Sequence, residues 1–362
     1  MDFRPTEEQT EAVRLAARIL GDLSDHTRLD AAGGGVDAEL WKALADAGLI
    51  AAVLDEPGAP GLGLLGLVLL LEEQGRVTAQ VPYAATCAWG LLPIAAHGSA
   101  RQRAELLPAL AAGELVATGA FPARPGLVSA AGRLTGTAPV VPWLRGADLV
   151  LVPDADRALW LVRTDDPGVR VTPVETTAPW AAGRLDLDGA AGTRLGPPGD
   201  PEPYERTLDA ARIAFAGLQA GVCAGSLARA VAHTSTREQF GRPLSTHQGV
   251  QLRAADAHMD TEAIRVTAYE AAWRVDQGLP AHAEALTAAW WAAEAGRRVV
   301  HTGQHLHGGT GADLDHPVHR HFLWGRQIDA LLGGGARLLA ELGEHLTEGP
   351  AAAAPTAPEG RS

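Results

Sequence analysis

The spacing of apolar side chains divides the chain into three regions. In the first region apolar positions recur every three or four residues, as at Ala12, Ala16 and Ile19, which is the period of one helical face. Further helices are predicted over four segments, residues 37–45, 63–74, 84–96 and 100–112. The pattern therefore predicts an N-terminal helical domain over residues 1–113.

Between residues 114 and 203 the pattern changes to short apolar and β-branched runs that glycine and proline separate. The runs cover residues 115–120, 128–134, 147–152, 159–162 and 169–174. Several short strands with such turns predict a middle β-domain, a small sandwich or barrel. The Gly-Pro-Pro-Gly-Asp-Pro sequence at residues 196–201 is typical of a linker.

The helical period returns between residues 204 and 348, in longer segments. These segments lie near residues 205–227, 250–277, 282–301 and 328–346. Long helices with short breaks predict a C-terminal four-helix bundle. The alanine- and proline-rich residues 349–362 are expected to form a disordered tail. Helices, then strands, then helices predict an α+β fold with segregated layers.

Composition and charge exclude several classes of function. The 362 residues contain 30 Lys and Arg against 43 Asp and Glu, a net charge of −13 that argues against a nucleic-acid or anionic-membrane partner. Two cysteines, Cys87 and Cys223, match no disulfide framework or metal spacing. The N-terminus lacks a signal-peptide pattern, and the apolar run near residues 61–71 is too short for a bilayer. We expect a cytoplasmic protein.

A glycine-rich segment resembles a nucleotide-binding motif by its letters alone. Residues 61–66 read Gly-Leu-Gly-Leu-Leu-Gly, which fits the dinucleotide fingerprint. That fingerprint requires a preceding strand and a following helix within a βαβ unit. A segment with a turn composition precedes it here, and no second strand is predicted to follow. We interpret these residues as an ordinary glycine-rich loop.

The stretch at residues 236–244, Thr-Arg-Glu-Gln-Phe-Gly-Arg-Pro-Leu, interrupts the helical pattern. It places Arg237, Gln239, Phe240 and Arg242 within six residues. An arginine can bond two phosphate oxygens at once, and a phenylalanine can stack on a flat ring. The residues by themselves leave two interpretations, a nucleotide-phosphate site and an ordinary turn between helices.

A second glycine stretch, Gln-His-Leu-His-Gly-Gly-Thr-Gly at residues 304–311, ends a long predicted helix. Backbone N–H groups of such glycines can contact a ligand. Six of the 13 histidines lie from His301 to His321, but His316, His319 and His321 do not keep a helical ligand spacing. We therefore predict no metal site and assign these histidines hydrogen-bonding or interface roles.

Residues 237–244, Thr246-His247-Gln248, residues 307–311 and His316-Pro317 together resemble the acyl-CoA dehydrogenase family. The predicted order of helical domain, β-domain and bundle agrees, and the resemblance extends to about Leu346. It implies FAD as cofactor and removal of two hydrogens across the Cα–Cβ bond of an acyl-CoA. In the family a carboxylate takes the α-proton and the flavin takes the β-hydride.

The resemblance also implies a division of roles between subunits, because the family's FAD lies across a dimer interface. One subunit surrounds the flavin ring with its β-domain and carboxylate. The neighbouring subunit holds the pyrophosphate and adenosine. The resemblance assigns that second role here to Arg237, Gln239, Phe240, Leu244, His247, His305, Leu306, Gly308 and Gly309.

The positions that carry the family's catalytic base are different in this chain. Counting from the glycine stretch gives Leu332, and counting back from Arg237 gives Ala211. Neither side chain can accept a proton, and loss of a general base costs roughly 10²–10⁴-fold in rate. We therefore predict no catalytic residue in this chain. Asp209, two residues before Ala211, is the alternative base.

The β-domain also departs from the family pattern. A loop that usually reads Thr-Glu-Pro reads Thr118-Gly119-Ala120, and a strand that usually reads Trp-Ile-Thr reads Val140-Val141-Pro142-Trp143. The hydroxyl and the indole that would line the flavin ring are absent or displaced. In addition, His305 stands where members usually have glutamine.

The departures fall on the chain's own flavin-ring pocket, whereas the residues that contact a neighbour's FAD remain. This predicts an FAD-binding but non-catalytic subunit, similar to the small subunit of the α2β2 heterotetramers of bacterial steroid side-chain degradation. A catalytic partner subunit would bind most of the acyl-CoA. The Phe322-Leu323-Trp324 run and the last helix are predicted interface material. Two alternatives stay open, a self-sufficient dehydrogenase homo-oligomer with Asp209 as base and a flavin-free scaffolding subunit.

Overall fold

The computed structural model describes residues 3–55 and 60–347. The predicted disordered tail at residues 349–362 lies outside this range. The first part of the chain is helical, with a 3₁₀ turn at Ala51–Val53 and a π-helical turn at Cys87–Leu91. Its helices are α1 (Glu7–Asp22), α2 (His26–Ala32), α3 (Ala38–Asp46), α4 (Gly63–Val77), α5 (Tyr83–Thr86), α6 (Leu92–His97) and α7 (Ala100–Ala111).

Helix α4 is the central element of this part, because its apolar side chains occupy all faces and nearly all are buried. It packs against the first helix of the C-terminal region through small residues. A Cβ at Gly75 would overlap the backbone at Leu218, and a Cβ at Gly221 would overlap the backbone of Glu72. The two backbones can therefore approach closely only because glycine stands at both positions.

The middle of the chain forms a seven-stranded sheet in the order β1-β4-β5-β7-β3-β2, with β6 also paired to β7. The strands are β1 (Ala117–Gly119), β2 (Val128–Ala130), β3 (Arg133–Val141), β4 (Leu149–Pro153), β5 (Leu159–Arg163), β6 (Val169–Pro173) and β7 (Gly183–Leu195). Only β1 and β4 pair in parallel. Strand β7 joins two groups of strands, since one half pairs with β5 and the other with β3 and β6.

Two strand predictions need correction. Residues 128–134 form no single strand, because Ala131 and Gly132 have positive φ angles of 48° and 74° and turn the chain between β2 and β3. The long strand β7 was not predicted. Its exposed positions carry Asp, Arg and Thr, so the apolar signal is weak although Leu185 and Leu187 are buried.

The C-terminal region is a bundle of long helices with a further helix beside it. The bundle comprises α8 (Glu202–Thr236), α9 (Gln248–Asp276), α10 (His282–Leu306) and α11 (Val318–Leu332), and α12 is Gly335–Thr347. The predicted helix over residues 328–346 is broken, because Gly333 and Gly334 have φ angles of 96° and 80°. Helix α12 packs on α10 through Leu338. The predicted α+β fold is confirmed, and the domain boundaries at residues 113 and 203 stay predictions.

Helix α8 is the one helix among the described residues that is long and apolar enough to cross a membrane by composition. Most of this helix lies in the core, since 83% of its apolar 18-residue stretch is buried inside the protein. Burial of this kind is typical of the central helix of a soluble bundle.

Candidate functional site

The glycine-rich residues 61–66 lead into helix α4, and the described residues between α3 and residue 55 include no strand. A 3₁₀ turn precedes them, and Gly63 is the first residue of the helix. The carboxylate of Asp276 accepts hydrogen bonds from the backbone N–H groups of Leu64 and Leu65, at 2.7 and 2.9 Å. This segment is therefore a helix start that a side chain of the bundle caps, and not a dinucleotide loop.

The arginine-phenylalanine stretch forms a small hairpin between α8 and α9. Its two short strands are β8 (Glu238–Gln239) and β9 (Arg242–Pro243), and the N–H of Leu244 donates to the carbonyl of Arg237 at 2.9 Å. At its tip Phe240 has a φ of 57°, a left-handed conformation that is uncommon for an aromatic residue. The Phe240 side chain is 91% exposed. The hairpin thus holds an apolar ring away from the protein body.

The imidazole of His247 lies behind this ring. The two rings meet edge to face, with centroids 6.0 Å apart, and Arg242 Nη2 lies 3.3 Å from His247 Nδ1. His247 Nε2 is buried and has no hydrogen-bond partner within the described parts of the chain. A buried nitrogen without a partner is uncommon in proteins, and it fits a ligand or an ordered water at this position.

The glycine turn follows the end of α10. Gly308 has a φ of 62°, and a Cβ at Gly308 or Gly309 would meet no atom within 4 Å, so the backbone is open here. His305 lies on the side of α10 that faces α9, in a groove of about 660 Å³. Leu306, in contrast, is only 7% exposed, so it can offer a ligand little more than its backbone.

The hairpin and the glycine turn lie at the same end of the bundle. The ring of His233, in the last turn of α8, stacks on the ring of His307, just after α10, with centroids 4.7 Å apart. This contact between residues 74 positions apart brings together the ends of α8 and α10, after which the hairpin and the glycine turn begin. His305 lies in the groove that faces α9, and Leu306 is buried.

The two predicted base positions carry no proton acceptor, and the alternative base, Asp209, is bonded to other side chains. Ala211 is 4% exposed in α8, and Leu332 is half-buried at the end of α11. The carboxylate of Asp209 contacts His282 Nδ1 at 2.8 and 2.9 Å and Arg212 Nη1 at 3.5 Å. The hydrogen bond to Asp209 raises the pKa of His282. Asp209 is thus an ion-pair and hydrogen-bond partner in this structure.

Asp209 and His282 line a cleft of about 2410 Å³ between the N-terminal helices, the β-domain and the bundle. Arg124 and Arg157 approach it from the β-domain side. The Nε atom of Arg124 is buried and has no partner among the described residues. The cleft is therefore large and polar at its rim, and sequence patterns gave no sign of it.

A cluster of three tryptophans fills the junction between the β-domain and the bundle. Trp143 stacks on Trp180 at a centroid distance of 6.0 Å, and Trp180 meets Trp324 edge to face at 5.1 Å. None of the three is more than 3% exposed. The predicted interface role of Trp324 is therefore wrong, because its side chain is buried inside the chain itself.

Hydrogen bonds fix this tryptophan cluster in place. The N–H of Trp143 donates to the carbonyl of Trp180 at 2.7 Å, and the N–H of Ala178 donates to Gln327 Oε1 at 3.4 Å. The Thr118 hydroxyl donates to the carbonyl of Pro142 at 2.5 Å. The Thr118 hydroxyl is thus used in a hydrogen bond inside the protein, and the Trp143 indole is used in ring stacking, while the Trp143 hydrogen bond comes from its backbone. The sequence patterns missed Trp180 and assigned Trp324 to an interface.

Comparison with known proteins identifies the family. The acyl-CoA dehydrogenase N-terminal domain model matches residues 6–114, and the acyl-CoA dehydrogenase C-terminal domain model matches residues 204–346. Acyl-CoA dehydrogenase FadE27 of Mycobacterium tuberculosis is 37% identical over 97% of this chain and 100% of its own length. The chain belongs to the acyl-CoA dehydrogenase family.

Two solved structures of acyl-CoA dehydrogenases are similar to this chain. A chain of a Tcur3481-Tcur3483 steroid ACAD variant is 43% identical, with a TM-score of 0.88 over 94% of this chain and 98% of its own. A chain of the ChsE4-ChsE5 complex from Mycobacterium tuberculosis is 34% identical, with a TM-score of 0.89 over 97% of this chain and 100% of its own. The fold and nearly the whole length of this chain are thus similar to those of these two proteins.

Proposed function

We propose that this chain is the non-catalytic, FAD-binding subunit of a hetero-oligomeric acyl-CoA dehydrogenase and completes the FAD site of a catalytic partner. The reaction is the α,β-dehydrogenation of an acyl-CoA, with a steroid side-chain CoA ester as substrate class. The similar solved structures, a steroid ACAD and a two-component complex, support this assignment. An α2β2 assembly in the cytoplasm is part of the proposal.

One asymmetry carries the proposal. At the bundle end, Phe240 is exposed, His247 Nε2 has no partner and Gly308 is open, which are features of a surface that a ligand or a partner covers. At the junction of the β-domain and the bundle, Trp180 and Trp324 occupy the interior. We infer that the flavin lies in the partner's pocket and that only its nucleotide end contacts this chain.

The residues at the bundle end fit the nucleotide part of FAD. Arg237 would pair with the pyrophosphate, and the backbone of Gly308 and Gly309 would approach it closely. Phe240 would cover the adenosine, and His247 Nε2 would gain a hydrogen-bond partner. Gln239, Leu244, His305 and the backbone of Leu306 would complete the contact. When bound, FAD supplies the hydride acceptor of the reaction.

In this proposal the chain moves no proton. Leu332 and Ala211 stand at the family's base positions, so the partner's carboxylate takes the α-proton and the partner binds most of the acyl-CoA. The contribution of this chain is to bind and orient the cofactor and to exclude water from its nucleotide end. Fixing the cofactor in one geometry lowers the entropic cost of the reaction in the partner's pocket.

The cleft beside Asp209 favours a second candidate, a self-sufficient dehydrogenase. Asp209 and His282 both line it, and its volume of about 2410 Å³ is ample for a large thioester. In that case a proton would pass to the Asp209–His282 pair. The two candidates differ in where FAD binds and in whether Asp209 matters for turnover.

Coexpression with a catalytic partner subunit tests the proposal. We expect about one FAD per heterodimer and a large loss of bound FAD in the Arg237→Ala complex. The control is Arg101→Ala, at an exposed arginine of α7. Asp209→Asn should leave turnover unchanged. An active yellow homo-oligomer of this chain, or loss of turnover in Asp209→Asn at unchanged FAD content, would overturn the proposal in favour of the second candidate.

A further inference from the structure

A group of basic side chains lies between α8 and the glycine turn, on residues that the proposed FAD contacts do not use. Arg229 and His233 stand one turn apart on α8, His307 follows α10, and His316 lies in the loop before α11. The ring of His307 stacks on His233 at 4.7 Å and meets His316 at 5.0 Å. We call these four residues the Arg229 cluster.

Arg229 is half-buried and makes no hydrogen bond or ion pair with any residue in the described part of the chain. Burial lowers the pKa of its guanidinium, which nevertheless stays charged. Enclosing a cation without a counter-ion is costly, and that cost falls when an anion binds beside it. Arg229 therefore lacks a negative partner among the residues that the structure describes.

The imidazoles leave nitrogen atoms available for such a partner. His307 Nδ1 donates to the carbonyl of Gly303 at 2.7 Å, so its Nε2 remains free. His316 Nδ1 accepts the N–H of Val318 at 3.3 Å, so its Nε2 carries the hydrogen and can donate. Burial, and with it the charge of Arg229, lowers the pKa of both rings. An anion bound beside these rings would favour their protonation.

The other charged and titratable neighbours of the cluster are Asp313, His26 and His321. Asp313 is the acidic group that faces His316, and its carboxylate accepts the backbone N–H of Asp315 at 3.0 Å. His26, from α2, contacts the carbonyl of Asp315 at 2.8 Å, and its Nε2 lies 3.4 Å from Asp30. His321, from α11, contacts the carbonyl of Arg76 at 3.0 Å.

The geometry of the cluster also argues against a metal ion. The imidazole of His307 packs against the rings of both other histidines, and its Nδ1 is already bonded to the carbonyl of Gly303. Within the described residues no group of three potential ligands could hold a metal. A guanidinium beside these rings would moreover repel a cation.

We propose that Arg229, His233, His307 and His316 form a binding site for a phosphate group, supplied as free phosphate or as part of a nucleotide. A guanidinium can bond two phosphate oxygens, and imidazole N–H groups can donate to the others. None of the four residues is among those proposed to contact FAD, although His307 lies between Leu306 and Gly308 and the site therefore adjoins that contact. Although the net charge of the chain is −13, the Arg229 cluster would bind a multivalent anion locally.

Calorimetric titration of the purified full chain, or of its complex, with inorganic phosphate at constant ionic strength tests the site. We expect saturable binding, and we expect Arg229→Gln to weaken the affinity for phosphate about tenfold or more. Arg229→Lys keeps the positive charge but cannot bond two phosphate oxygens at once, so its affinity should fall by less. Arg18→Gln, at an exposed arginine of α1, is the matched control and should bind as the unchanged protein does. Circular dichroism verifies that each variant is folded.

Two further titrations complete the test. ADP in place of phosphate shows whether the bound phosphate group belongs to a nucleotide. Tighter binding of ADP, with the same dependence on Arg229, indicates a nucleotide, and weaker binding indicates free phosphate. Sulfate, whose charge is constant from pH 6 to 8, should bind more tightly at the lower pH because the rings gain protons. Equal binding by the Arg229→Gln and Arg18→Gln proteins, or no saturation, would overturn the proposal, whereas FAD content tests the subunit function separately.

Discussion

His282 Nδ1 lies 2.8 Å from Asp209 Oδ2, across the gap between the start of α10 and the first turns of α8. The carboxylate nearest to the family's base position thus holds an imidazole in place. The same wall of the cleft contains Arg212, whose Nη2 lies 2.6 Å from Glu341 of α12. Three helices are therefore joined by polar contacts close in sequence to Ala211, one of the two predicted base positions.

The Asp209–His282 pair predicts a dependence of stability on pH. Because the pKa of His282 is raised in the folded protein, its contribution is complete below the ordinary histidine pKa of about 6.5 and is lost as the pH rises through the folded value. We expect the melting temperature to fall between pH 6 and pH 8 in part for this reason. Asp209→Asn should flatten that decline, as measured by circular dichroism.

The matched control is Asp46→Asn, which removes an exposed carboxylate that pairs with Lys42 on α3. Exposed pairs of this kind contribute little, about 0–1 kcal/mol. Its pH profile should therefore follow that of the unchanged protein. If Asp209→Asn leaves the profile between pH 6 and 8 as it was, the pair does not stabilise the fold.

His321 predicts the opposite behaviour in acid. Burial lowers its pKa to about 4, and its Nε2 donates to the carbonyl of Arg76 at 3.0 Å. A lowered folded pKa means that stability is present above pH 6.5 and declines as the pH falls toward 4, by about 3 kcal/mol over the full range. Urea unfolding of His321→Asn at pH 7 and pH 4.5 should show a smaller difference than the unchanged protein shows.

Phe240 predicts a loss of cofactor without a loss of stability. Its ring is 91% exposed, so Phe240→Ala removes no core contact and the melting temperature should stay within about a degree. In the complex with a catalytic partner, FAD retention after gel filtration should fall. The control is Val128→Ala, an exposed apolar position in β2. Unchanged FAD retention in Phe240→Ala would remove this ring from the proposed contact.

Leu332→Glu tests the role of the filled interior. The substitution restores a carboxylate at a family base position, but the tryptophan cluster still occupies the junction of the β-domain and the bundle. We expect no dehydrogenation by this variant without its partner, in a dye-reduction assay with an acyl-CoA. Measurable turnover would mean that the chain's own pocket can hold a flavin ring after all.

Trp324→Ala shows how much the same cluster stabilises the fold. A fully buried tryptophan that is cut to alanine costs about 3–5 kcal/mol, and Trp324 is 0% exposed. The half-buried Trp290 is the comparison, and its replacement by alanine should cost clearly less. Chemical unfolding of both variants measures the difference. Similar costs would contradict a tightly packed cluster.

The sequence alone determined the class of fold and its order along the chain. Apolar periods of three to four residues and short β-rich runs are local properties, and they indicated the helical, β and helical regions. The stretches at residues 236–244 and 304–311 likewise indicated the family, because their residue motifs resemble those of acyl-CoA dehydrogenases. Strand β7 was missed since its exposed face is too polar to give an apolar period.

Only the tertiary structure decided which side chains meet. Asp209 and His282 are 73 residues apart in sequence, and Trp180 and Trp324 come from a β-domain loop and from α11, so no local pattern pairs them. Apolar burial fixes the positions of the helices without regard to these groups, and the polar contacts follow from that packing. Local periodicity therefore determines the elements, whereas the contents of a cleft or a junction depend on contacts between distant segments.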